Sequence, residues 1–171
     1  MRFQAETLAE RAWRTLGEGC DERLAVGKAG ELELPFPVLD DGTDARAPLA
    51  GVVAGLNAAT HELCVGLPVD CPLVTVVLLQ ELAGACHDVD AAVPQTGPLP
   101  GAYRRTALPV LQRRLAAERL SLRDALVDLD TRVVRCDESL LTNVNTVDDL
   151  QRLLQGSGPS LARARPGPGD G

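Results

Sequence analysis

Aromatic residues are the scarcest material in this chain. Its 171 residues include one Trp, one Tyr and two Phe, 2% in all, although 45% are hydrophobic. A core without large rings must be built from Leu, Val and Ala, and such branched aliphatics suit helices layered on a sheet. Basic charge is also short. Seventeen Lys and Arg stand against 24 Asp and Glu, for a formal charge of -7 and a pI near 4.8. Neutralising a phosphate backbone needs a basic face, so a generic nucleic-acid-binding surface is excluded. Only two histidines occur, His61 and His87. Each stands alone in a polar helix-end setting that reads as surface, and no Ser/His/Asp or Cys/His arrangement can be built on them. No apolar run approaches the length of a membrane-spanning helix. The N-terminus carries Glu6 and Glu10 where a secretory signal would be apolar.

The five cysteines, Cys20, Cys64, Cys71, Cys86 and Cys136, include no C-x-x-C pair, and their number is odd. A disulfide scaffold and a zinc site are both poorly supported. Free thiols in a reducing cytosol are expected, and with them a cytoplasmic location. Cys64 reads as core packing within an apolar strand. Cys71, next to Asp70, reads as a small residue beside a site. The chain has no Walker loop and no G-x-G-x-x-G.

The length suits one domain, placed over residues 1–155, with a full-sized core. Residues 156–171 are rich in Gly, Pro, Ser and Arg and are expected to be a disordered tail. Helices are predicted over 7–17, with Thr7 and Glu10 forming a capping box, and over 49–59, with Pro48 in the first turn. Further helices are predicted over 74–86, 107–118, 122–129 (capped by Ser121) and 146–154 (capped by Thr146). Strands are predicted over 23–26, 63–67, 91–93, 102–103 and 133–136, and 35–39 is extended because of its two prolines. Residues 40–44 form a polar turn. Alternating strands and helices make a mostly parallel α/β sheet.

Three places carry the chemistry. The apolar run 63–67 leads into Pro68-Val69-Asp70-Cys71-Pro72, the pattern of a buried parallel strand delivering one carboxylate to the carboxyl edge of a sheet. Beside a nucleotide, such an acid holds a divalent cation. Magnesium needs one or two carboxylates, completed by phosphate oxygens and water. The competing role is a helix cap, but Asp70 lies too early for a helix starting near Thr75. Pro48, Leu49, Ala50 and Gly51 open a helix whose free amides and small residues would let a base or phosphate approach. The other explanation for Gly51 and Gly55 is tight packing on the sheet. Asn143 and Asn145, two positions apart, face one side if extended and can orient a ribose, a phosphate or a metal ligand. A turn plus cap is the alternative, strongest for Asn145 and Thr146. Two arginine pairs remain. Arg104-Arg105 could serve a small phosphorylated ligand, and Arg113-Arg114 reads as a solvated helix end.

Taken in order, these motifs resemble the molybdenum cofactor guanylyltransferases, the MobA-type branch of the nucleotidyltransferases. The resemblance runs from Asp44 to Leu150. It rests on Ala47-Pro48-Leu49-Ala50-Gly51 against G-P-L-A-G, on Pro68-Val69-Asp70-Cys71-Pro72 against P-x-D-x-P, on Pro98-Leu99-Pro100-Gly101-Ala102-Tyr103, and on Asn143-Val144-Asn145-Thr146-Val147-Asp148-Asp149-Leu150 against N-x-N-T-P-x-D-L. It implies a three-layer, mostly parallel Rossmann-like sheet. It also implies transfer of GMP from GTP to the phosphate of molybdopterin, with release of pyrophosphate and with Mg2+ as cofactor. Asp70 would be the catalytic metal ligand, residues 48–51 would line the guanine and ribose pocket, and Asn143 and Asn145 would lie beside the pterin-side phosphate or the metal. GTP and molybdopterin are then the small-molecule partners, a molybdoenzyme or another cofactor-biosynthesis protein is a further expected partner, and neither nucleic acid nor membrane is.

The chain departs from that pattern at its start. The family opens with a strand and a loop of the form L-A-G-G-x-S-x-R-M-G-x-D-K, which grips the triphosphate, and no such segment stands ahead of Thr7. The expectation is a domain lacking its first strand, through truncation or a misassigned start, through degeneration, or because a partner supplies it. An unpaired sheet edge and weak or absent turnover would follow. A cytidylyltransferase or a non-catalytic subunit are the alternative readings.

Overall fold

The computed structural model describes residues 2–3, 6–28, 34–44 and 46–156. The expected disordered tail, beyond Gly156, lies outside them. Two short strands, β1 (Arg2–Phe3) and β2 (Glu6–Thr7), pair antiparallel and lead into α1 (Leu8–Gly19). The predicted capping box is present. Thr7 Oγ1 accepts from the Glu10 N–H at 3.2 Å, and Glu10 Oε2 accepts from the Thr7 N–H at 2.7 Å. The helix runs two residues past the predicted 17, to Gly19, before Cys20 turns extended.

Next come β3 (Ala25–Gly27) and β4 (Val38–Asp40), paired parallel. Trp13 of α1 stacks on Phe36 with ring centroids 4.2 Å apart, and the Arg23 guanidinium lies 4.5 Å over the Trp13 ring. Two of the four aromatic residues thus clamp this small sheet to α1.

The larger sheet holds β5 (Leu63–Gly66), β6 (Ala91–Pro94), β7 (Gly101–Arg104) and β8 (Thr131–Val134) in the order β5-β7-β6-β8. β6 and β8 are parallel, whereas β7 runs antiparallel to both neighbours. Only the turn-rich segment 95–100 joins β6 to β7, too short for the crossover that parallel strands require. Gly101 is needed where this turn closes, because a Cβ there would sit 2.5 Å from the Pro98 carbonyl oxygen.

Helices cover both faces. α2 (Pro48–Ala58), α4 (Leu108–Ala116) and α5 (Leu122–Ala125) share a core of Leu49, Val53, Leu56, Leu111 and Leu122 with Val93 and Tyr103. α3 (Val76–Ala85) covers the other face through Leu78, Leu79 and Leu82, packed with Ala92 and Ala102. Neighbouring residues Ala92 and Val93 fall in opposite cores, as the two-residue period of a strand demands. This is the expected three-layer α/β arrangement. A third cluster joins α1 to α6 (Val147–Gly156) through Leu8, Val144 and Leu150.

Two expectations need correction. Residues 63–66 are an edge strand in the described structure, half-buried throughout and paired antiparallel, not a buried parallel strand. Arg114 is buried against Asp128, so only Arg113 is a solvated helix end.

Candidate functional site

β5 stops at Gly66, and Asp70 follows in a turn in which the Cys71 N–H donates to the Pro68 carbonyl at 3.3 Å. The carboxylate is therefore carried by a rigid Pro-bounded turn beyond the strand. Two contacts hold this turn. The Val144 N–H donates to the Asp70 carbonyl at 2.7 Å, and Arg11 Nε of α1 donates to the Pro72 carbonyl at 2.5 Å. Val144, 2% exposed, is seated in the cluster between α1 and α6.

Through this tie Asn143 comes to the same lip. Cys71 Sγ donates to Asn143 Oδ1 at 3.0 Å and lies 3.7 Å from Asp70 Oδ1. Burial, reinforced by the Asp70 charge, pushes the Cys71 thiol up to about 12, so it stays a neutral donor. It bridges the two groups and is no nucleophile. Asp70 is partly accessible and Asn143 exposed, as a ligand lip requires. Asn145 is exposed nearby. Its backbone N–H, with that of Thr146, turns to Asp149 Oδ2 at 3.3 and 2.9 Å, and Thr146 Oγ1 accepts from the Asp149 N–H. The predicted cap on α6 accounts for Thr146.

Pro48 lies at the same end of the sheet. The short link 59–62 joins α2 to β5, so the helix runs back along the strand and its first residue sits near the end that leads to Asp70. The 11 residues of α2 span about 16 Å, close to the length of the strand and its flanks. Pro48 and Gly51 line a cavity of about 640 Å³ beside β5. Leu49 and Ala50 do not: both are fully buried, and Leu49 packs in the core. The first turn of α2 thus divides, with Pro48 and Gly51 toward open space and Leu49 and Ala50 holding the helix down. A Cβ on Gly51 would meet nothing within 4 Å, whereas one on Gly55 would touch Val26 at 3.9 Å.

The Arg104-Arg105 pair is committed elsewhere. Arg104 Nη1 donates to the His87 carbonyl, and Arg105 Nη2 to the Ala59 and His61 carbonyls at 2.6 and 3.2 Å. Both tie backbone segments together, and neither stands beside Asp70 as a phosphate ligand. His61 and His87 are exposed, as expected. Arg11, Cys71 and Val144 escaped the sequence reading as supports of the lip. Their roles depend on contacts across 61 to 74 residues, which no local pattern encodes.

The profile of the MobA-like NTP transferase domain matches residues 1–133. The chain belongs to this family. A probable molybdenum cofactor guanylyltransferase of Flavobacterium johnsoniae is 31% identical over 128 residues, 70% of this chain and 67% of that protein. A molybdenum cofactor guanylyltransferase of Pseudomonas putida is 36% identical over 169 residues, 87% of this chain and 84% of the relative. Against other curated members of the family the match spans 61 to 63% of their length. Among solved structures, the molybdopterin-guanine dinucleotide biosynthesis protein A of Archaeoglobus fulgidus superposes with a TM-score of 0.76 at 19% identity, covering 91% of this chain and 87% of that one. The 2-C-methyl-D-erythritol 4-phosphate cytidylyltransferase of Thermus thermophilus superposes at 0.71 and 17% identity, with 91% of each chain covered. These two likenesses establish the nucleotidyltransferase fold. Among the described residues, no helix is long and apolar enough to cross a membrane.

Proposed function

We propose that this chain is a nucleotidyltransferase domain of molybdenum cofactor biosynthesis that transfers GMP from GTP to molybdopterin, with Mg2+ held at Asp70. The observation that carries this reading is the placement of Asp70 and Asn143 on one lip, in a chain 36% identical to a molybdenum cofactor guanylyltransferase over 169 residues.

The donor set fits magnesium. No group of three or more His, Cys, Asp or Glu side chains gathers among the described residues, which disfavours an all-protein cage. One partly exposed carboxylate on a rigid turn is what magnesium uses when substrate phosphates and water complete its shell. Bound there, the ion would supply charge neutralisation between phosphates. The chain's own groups position. The Cys71 thiol engages Asn143 Oδ1 and leaves the amide nitrogen as a donor toward a phosphate or ribose oxygen. Pro48 and Gly51 leave room for a base at the same sheet end. Transfer of this kind depends on orientation and charge more than on a nucleophilic side chain, which is consistent with a neutral Cys71.

The test is calorimetry with GTP, CTP, ATP and UTP in the presence of Mg2+, followed by turnover with molybdopterin. GTP preference that falls at least tenfold in Asp70→Asn supports the reading. A CTP preference, or nucleotide binding indifferent to Asp70→Asn, overturns it.

A further inference from the structure

β8 stands at one end of the larger sheet, and among the described residues its only strand partner is β6. Two contacts fix which of its backbone groups face that partner. The Ala91 N–H donates to the Asp130 carbonyl at 3.1 Å, so in the parallel register of Ala91 with Thr131 the positions bonded to β6 are Asp130, Arg132 and Val134. The same alternation continues past the strand. Gln95 Oε1 accepts from the Cys136 N–H at 3.2 Å, and Gln95 Nε2 donates to the Cys136 carbonyl at 2.8 Å. Thr131, Val133 and Arg135 therefore turn N–H and C=O outward, and no described strand pairs with them.

The side chains leave this edge open. Arg132 points to the α3 face, where Nη1 donates to the Ala85 carbonyl at 2.7 Å and Nη2 to Asp88 Oδ2 at 3.2 Å. Thr131 points to the opposite face, where Oγ1 donates to the Leu126 carbonyl at 3.1 Å in the turn that follows α5. On that face Val133 is 59% exposed, Val127 of the same turn is 84% exposed, and Arg135 is exposed beyond the strand. Open edges are normally blunted by proline, lysine or a bulge. β8 carries no proline or lysine, and its register with β6 runs over all four residues without a slip.

We infer that two copies of this chain pair through β8, antiparallel, about a two-fold axis at Val133. With Val133 opposite the partner's Val133, Thr131 lies opposite the partner's Arg135, and every outward residue of both copies exchanges its N–H and C=O bonds. A register shifted by two positions either way sets one of them against Leu129 or Asp137. The Leu129 N–H is already given to the Leu126 carbonyl and its carbonyl to Thr131 Oγ1, and the Asp137 carbonyl already accepts from the Leu140 N–H. Charge agrees with the chosen register. Arg135 comes to the end of the partner's strand that carries Asp128 and Asp130, and the two Arg135 positions stand about 13 Å apart along the pair, outside a screening length of about 8 Å. The exposed Val133 side chains meet across the axis, and the two sheets become one. Main-chain bonds supply the affinity, and self-complementarity selects a second copy over other strands. This pairing does not depend on the nucleotidyl-transfer reading.

Sedimentation velocity from dilute to concentrated protein should show a reversible monomer–dimer equilibrium. Amide hydrogen exchange should slow with concentration at Thr131, Val133 and Arg135, while Arg132 and Val134, bonded to β6, stay slow throughout. Val133→Pro removes an N–H that β6 does not use, so it should fold as the parent does and weaken association at least tenfold. Val133→Lys and Val133→Glu should each weaken self-association at least tenfold, and an equal mixture of the two should restore it, because the side chains meet across the axis. A monomer at every concentration overturns the inference. So does a dimer indifferent to Val133→Pro, or a Lys and Glu mixture no tighter than its components. Slow exchange at Thr131, Val133 and Arg135 that does not vary with concentration also overturns it, since another segment of the same chain would then be the occupant.

Discussion

Strands β5 and β6 are both short, apolar and four residues long, yet one is half-buried at every position and the other fully buried at every position. The difference lies in their neighbours. β6 has β7 and β8 at its edges and cores on both faces, whereas β5 has β7 on one side and a cavity on the other. Apolar sequence buys a strand a place in the layer; burial depends on what lies beside it.

Substitutions on the two sides sharpen this contrast. Leu111→Ala, at a fully buried position between α4 and the covered face, should cost about 2–5 kcal/mol, and Val65→Ala on the open edge about 1 kcal/mol or less, both read from chemical denaturation. Equal costs would mean that the open side is as well packed as the closed one. Gly101→Ala should cost about 1–3 kcal/mol, because the new methyl meets the Pro98 carbonyl at 2.5 Å and the β6–β7 turn must shift. Thr7→Ala should cost about 1 kcal/mol by opening the capping box of α1, visible as a lower thermal midpoint.

The smallest effect concerns the lip itself. Burial and the Asp70 charge raise the Cys71 thiol from 9.0 to about 12, so the folded protein holds this proton more tightly than the unfolded chain. Its contribution to stability is complete below about pH 9 and is lost as pH rises toward about 12. Cys71→Ala should flatten the fall of the denaturation midpoint across that window. An unchanged alkaline limb would show that the thiol is not held as the contacts with Asn143 and Asp70 imply.

Local pattern carried much of the fold. The caps at Thr7 and Ser121 accept the hydrogen bonds that start α1 and α5, and Pro48 opens α2. Those signals lie within a few residues of one another, where sequence spacing equals spatial spacing. Other boundaries moved. β8 begins at Thr131 rather than at residue 133, and the helix expected over 122–129 tightens to a 3-10 turn after Ala125. The Asp70 turn and the amides at 143 and 145 were legible because proline and asparagine announce unusual backbone. That Leu49 and Ala50 face the core while Pro48 and Gly51 face open space was not legible, since a helix turn of small and apolar residues does not reveal which side its sheet lies on.

The order of elements, the caps and the single carboxylate at the sheet end follow from the sequence by itself, because each depends on residues adjacent in the chain. Tertiary structure decided the rest. It joined Asp70 to Asn143 through Cys71 and Val144, spent Arg104 and Arg105 on carbonyls, buried Arg114, and left a cavity beside β5. These outcomes come from contacts between segments tens of residues apart, and such contacts are chosen by packing and hydrogen-bond completion rather than by local propensity.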